Sequence, residues 1–119
     1  MRDNVEIYTT SLIHAIRDSR EYREFCQVKR AVAEKPELKA QITEFRKENF
    51  RLQNMEQSEN LFYAVEEFRK RKDEFLQNPL VVEYLRCELA MCRMMQKIAL
   101  SVVESVDLEL EDVARDLRQ

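Results

Sequence analysis

The sequence predicts an all-α fold: an elongated antiparallel helical hairpin or bundle of about five helices, self-associating. Three observations lead there. None of the 119 residues is glycine and only two are proline, so the chain lacks the residue that takes positive φ without a Cβ clash. Apolar residues recur at helical spacing almost everywhere along it. Two segments, KPELKAQITEF at Lys35 and NPLVVEYLRCE at Asn78, also open alike, with proline at a first helical position where its missing N–H costs nothing.

In chain order, Val5, Tyr8, Leu12 and Ala15/Ile16 make one face of a first helix. Asp18 with Glu21 three residues on matches a capping box at the start of a second. Tyr22, Phe25, Val28 and Val32 are its apolar face, and it should stop before Pro36, since a residue preceding proline is pushed out of the α region. These short helices occupy residues 1–34.

A helical arm follows over 36–76. Its seams are Leu38, Ile42, Phe45, Asn49, Leu52 and then Leu61, Val65, Phe68, Lys72, Phe75, alternating four and three as side-by-side helices require. The phase shifts across MEQSEN, Met55 to Asn60, which predicts a turn or a strong bend. A near-echo, EFRKENFRLQN at Glu44 and EFRKRKDEFLQN at Glu67, is too closely spaced for a two-helix repeat and predicts similar surface chemistry on neighbouring helices.

Asn78, a good N-cap, opens a long central helix over 79–106, with the seam Val82, Leu85, Leu89, Cys92, Gln96, Ala99, Val103. An adjoining stripe carries Tyr84, Met91, Met95, Ile98 and Val102. One partner helix cannot cover so wide an apolar surface in a slender bundle, so part of it is expected to meet another chain. The interface candidates are Tyr84, Met91, Met94 and Met95, methionine being suited to adaptable contacts; the alternative is that all four fill the chain's own core. A short acidic amphipathic tail, 107–119, with Leu110, Val113, Ala114 and Leu117 on one face, completes a single domain over 1–119.

Composition narrows the chemistry. Without glycine there is no phosphate-cradling loop, dinucleotide fingerprint or GxSxG elbow. A net charge of −3 and a pI near 5.3 do not favour nucleic acid. No apolar run approaches the ~18 residues of a membrane span, and MRDNVEIYTT lacks the basic-then-apolar order of a signal peptide, so a cytoplasmic protein is expected. Three cysteines, an odd number, are then expected as free thiols.

Cys87 and Cys92 are five residues apart and point about 140° away from each other on a helix, so they cannot share a metal or a disulfide within one chain. Cys92, in the main seam, is expected to fill the core, and Cys26 beside Phe25 to be structural; the pattern determines Cys87 least. No catalytic, cofactor-binding or metal-binding residue is assigned and no cofactor is expected, since His14 is the only histidine and has no partners at the spacing of a nucleophile or metal site. The run Arg69-Lys70-Arg71-Lys72, with Arg46, Lys47 and Arg51 alongside in a hairpin, could contact phosphate or an acidic partner. Glu66, Glu67, Asp73 and Glu74 flank it and would offset it.

The pieces SREYREFCQVKRAV, KPELKAQITEFRKENFRLQ and LQNPLVVEYLRCELAMCRMMQKIA, in that order from Val5 to Val103, resemble the YlbF/YmcA-like family of small helical bacterial regulators, which includes the YheA-like members. The resemblance implies an all-α, hairpin-dominated, self-associating protein without enzymatic activity. It also implies multiprotein complexes that influence competence, sporulation and biofilm formation and that modulate a membrane-associated ribonuclease. Some members hold iron–sulfur clusters through cysteines of a C-terminal extension. Asp107 to Gln119 here contains no cysteine, so ligation is carried onto no residue and the chain looks closer to the tail-less members.

The leading expectation is therefore a non-enzymatic oligomeric regulator or adaptor. Its partners would be further copies of itself and, by resemblance, related small helical proteins or a ribonuclease complex. The alternatives are a metal or redox sensor using cysteines brought together between subunits, and an RNA-binding accessory using Arg69 to Lys72.

Overall fold

The computed structural model describes residues 3–55 and 59–106. Among them are five helices and no strand: α1 (Asn4–Arg17), α2 (Arg20–Ala33), α3 (Pro36–Gln53), α4 (Glu59–Phe75) and α5 (Pro79–Val106). The all-α expectation holds. The tail 107–119 and the middle of MEQSEN lie outside the described residues.

Helix ends form without glycine. Asp3 caps α1, its Oδ1 accepting from the Glu6 N–H at 2.8 Å. Asp18 is the C-cap of α1 in the right-handed region, at φ −88° and ψ −6°. Asn54 closes α3 at φ −106°, and its Nδ2 donates to the Phe50 carbonyl at 2.8 Å. Carbonyls of a last turn can be met by tighter i→i+3 bonds or by side chains, so neither cap needs the left-handed residue that glycine would supply.

Two expectations are corrected at this level. The Asp18–Glu21 capping box does not form. Ser19 is the cap of α2, its Oγ accepting from the Tyr22 N–H at 3.2 Å and its carbonyl from the Arg23 N–H at 3.1 Å. Helix α2 starts one residue later than the box requires, which puts Tyr22 and not Glu21 at the third helical position. Asn78 does behave as expected, its Oδ1 accepting from the Leu80 N–H at 3.0 Å. The second correction concerns Cys92, which is exposed, whereas Cys87 is 1% exposed. Helix α5 turns Val81 and Cys87 inward. In the first half of the predicted seam, Val82, Leu89 and Cys92 are therefore left outward, while Leu85 packs against the core.

The described chain falls into two compact units, with α2 and α5 contributing to both. Cys26–Leu85 hold the buried core. Val32, Leu38, Ile42 and Val81 form its centre, with Phe75, Leu76, Leu80, Tyr84 and Leu85 packed around them. Within this unit α3 and α4 are antiparallel: moving along α3 from Phe45 to Glu48, the partner in α4 falls back from Phe75 to Arg71. The Phe45 ring stacks on Phe68 at 5.2 Å and on Phe75 at 5.0 Å. Phe45 and Phe68 are the equivalent phenylalanines of the sequence echo, so that echo serves the packing of the two helices as well as their surfaces.

The other unit comprises the described residues up to Phe25 and from Arg86 onward. Arg86 of α5 donates to Glu24 of α2 at 3.1 Å. Only Cys87 is buried among its large or apolar side chains.

Candidate protein-interaction surfaces

Among the described residues, one apolar strip with little cover lies on α1. No α1 residue is buried, and Val5 and Tyr8 are 75% and 71% exposed. The sequence places Val5, Tyr8, Leu12 and Ala15 at steps of three, four and three, one strip of a helix, and all four are exposed. Two of the polar side chains between them are turned back on the helix. Thr9 Oγ1 donates to the Val5 carbonyl at 2.7 Å and Ser11 Oγ to the Ile7 carbonyl at 3.1 Å, so both hydroxyls have a partner within α1.

A second bare strip runs down α5 through Cys92, Met95, Ala99, Val102 and Val106, again in steps of three and four. Ala99 is half-buried; the other four are exposed, Val102 to 55%. The sequence-level interface candidates divide around this strip. Met95 lies on it. Met91 and Met94 are half-buried on α5. Tyr84 is taken up within its own unit, packed against the core and lying under the Arg46 guanidinium at 5.4 Å from the ring centroid. The α1 strip was legible as a face from its spacing; its lack of cover was not, because periodicity says which residues align and not what they meet.

The basic run on α4 is largely matched by carboxylates. Arg69 pairs with Glu66 at 3.0 Å, Lys70 with Glu67 at 3.7 Å, and Arg71 with Glu48 of α3. Lys72 lies in the last turn of α4, where a cation favours the carbonyl end of the helix dipole. Alongside, Lys47 pairs with Glu44, and Arg51 with Glu48, each at 3.8 Å. Glu48 thus joins a cation of its own helix to one of the next.

Between α3 and α4 lies an open groove of about 530 Å³, lined by Phe45, Phe68 and Phe75 and by the exposed Glu44, Arg71 and Glu74. No group of three or more His, Cys, Asp or Glu side chains able to hold a metal ion occurs among the described residues. None of the described helices is long and apolar enough to cross a membrane.

Fold and surface together define a small all-helical protein with uncovered apolar seams. Residues 7–107 match the family described as "Control of competence regulator ComK, YlbF/YmcA", and the chain belongs to that family. It is also similar to a UPF0342 protein of Caldicellulosiruptor saccharolyticus, with 26% identity over 113 residues, covering 91% of this chain and 92% of that protein. No solved structure matches.

Proposed function

We propose that the chain is a non-enzymatic regulator that self-associates and acts in the cytoplasm by contact with other proteins, in competence-related or RNA-processing control. The observation that carries this reading is α1, a 14-residue helix with no fully buried residue and with Val5 and Tyr8 mostly exposed. Isolated helices of that length are marginal in water, so a helix of this kind gains its stability from what it meets. Family membership supplies the regulatory context. The relevant chemistry is then burial of apolar surface, with the matched charges of α4 keeping the rest of the surface hydrated.

Sedimentation equilibrium of the purified full chain across a wide concentration range tests self-association, and a reversible shift from monomer to a defined oligomer is expected. A deletion strain carrying a ComK-dependent reporter tests the regulatory part. Altered reporter output, restored by the wild-type gene, is expected; unchanged output together with a monomeric protein at all concentrations removes the proposal.

A further inference from the structure

We propose that α1 of one copy packs along the bare α5 strip, Cys92 to Val106, of a second copy, and that the exchange is reciprocal. This rests on the reading of the chain as self-associating and says which surfaces do it. Both strips have the three-four spacing that lets one helix seat its side chains between those of another. Both are uncharged along their length. On α1, Glu6 and Arg17 fall on the side of the helix away from Val5, Tyr8 and Leu12; on α5, Arg93, Lys97 and Glu104 fall opposite Met95, Val102 and Val106. The Thr9 and Ser11 hydroxyls already have carbonyl partners on their own helix, so covering them leaves no donor unmet.

Size and length favour this pairing over the two symmetric ones. Large side chains on α1, Tyr8 and Leu12, would meet a strip on α5 in which the small Cys92 and Ala99 alternate with Met95 and Val102. From Val5 to Ala15 is about 15 Å and from Cys92 to Val106 about 21 Å along the axis, so the longer strip accommodates the shorter. Pairing α1 with α1 would leave the α5 strip bare. Pairing α5 with α5 would leave α1 unsupported. Only the crossed pairing covers both, and a two-fold axis closes it without open ends.

Covered in full, the two strips reach the area at which a specific contact begins. Val5, Tyr8, Leu12, Met95, Val102 and Val106, each partly exposed, offer together about 300 Å² of apolar side chain per copy, at roughly 60–120 Å² for a whole side chain. With about 60% of an interface apolar, that corresponds to about 1,000 Å² over both copies, the lower bound for a specific interface.

Disulfide trapping tests the pairing directly. In a Cys26→Ser background, Val5→Cys, Tyr8→Cys and Leu12→Cys are made one at a time. Unlabelled and ¹⁵N-labelled protein are mixed and oxidised with diamide, and the linked peptides are identified by mass spectrometry. At least one variant is expected to give α1–Cys92 bonds that join a labelled to an unlabelled chain. Bonds found only within one chain, only between two α1 cysteines or only between two Cys92 thiols overturn the proposal. As a second readout, Leu12→Glu and Val102→Glu should each raise the dissociation constant at least tenfold by sedimentation. An oligomer indifferent to both changes would sink this pairing while leaving self-association intact; a wild-type chain that stays monomeric would remove both.

Discussion

Phe45 of α3 joins two phenylalanines of α4, its ring stacked on both Phe68 and Phe75. Phe68 is buried, whereas Phe45 and Phe75 are half-buried, so truncation removes packing at a site solvent partly reaches. Aromatic pairs contribute roughly 0.5–1.5 kcal/mol each beyond area burial, and a fully buried Phe→Ala change costs about 3–5 kcal/mol. Phe45→Ala should therefore destabilise the chain by about 2–3 kcal/mol in urea unfolding, with Phe45→Leu recovering about half. A loss below about 0.5 kcal/mol would mean the stack is not what holds α3 to α4. The two α5 cysteines should separate just as clearly in reactivity. With Cys87 buried and Cys92 exposed, Ellman's reagent on native protein should modify Cys92 promptly and Cys87 only after denaturant is added. Prompt labelling of Cys87 in the native state would contradict its burial. Seam spacing placed Cys92 in the core and left Cys87 undetermined, because a heptad identifies a face without saying whether that face meets its own chain. Here Val81 and Cys87 are the inward residues of α5 and Cys92 belongs to the strip left outward.

The helices themselves were largely legible, and the reasons are local. Proline at the start of α3 and of α5, and the side chain of Asn78 accepting from Leu80, are short-range chemistry that sequence displays directly. The start of α2 was misread by one residue because Asp18 and Ser19 are both competent caps and adjacent. Only the finished α1, which takes Asp18 as its own C-cap, leaves the role to Ser19. This assignment has a discriminating outcome. Ser19→Ala should cost about 0.5–2 kcal/mol in global stability, and Asp18→Ala well under half of that, measured by thermal or urea unfolding of matched samples. Equal costs, or a larger one at Asp18, would return the cap to the aspartate. The hairpin of α3 and α4 draws on a different contact, the Arg71–Glu48 pair. Arg71 is mostly exposed in that pair, so solvent and salt screen it. Arg71→Gln is expected to change stability by no more than about 1 kcal/mol, with the difference shrinking as salt rises. A larger effect that persisted at high salt would show that the pair is shielded from solvent and central to the hairpin.

What the sequence could not reveal belongs to the scale of the assembled molecule. Composition and periodicity placed Val5, Tyr8 and Leu12 on one face, but a face acquires a function only from what covers it, and in this chain α1 has no fully buried residue. Helix formation fixes several dihedrals before the first hydrogen bond compensates, so a short helix without tertiary support is only partly populated in water. If α1 is held by a second copy, its folding is linked to association and becomes a mass-action quantity. Two consequences follow together. The midpoint of thermal unfolding should rise with protein concentration, and far-ultraviolet circular dichroism should lose, on dilution below the dissociation constant, a share of helix corresponding to the 14 residues of α1. Leu12→Glu should show that reduced helix content already at high concentration, while the core around Val32, Leu38, Ile42 and Val81, remote in sequence from the change, keeps its cooperative unfolding. A helix signal and a midpoint that stay constant over a thousandfold dilution, in a protein that sedimentation shows to dissociate across that range, would mean that α1 holds its fold unaided, and the link between association and α1 would be broken.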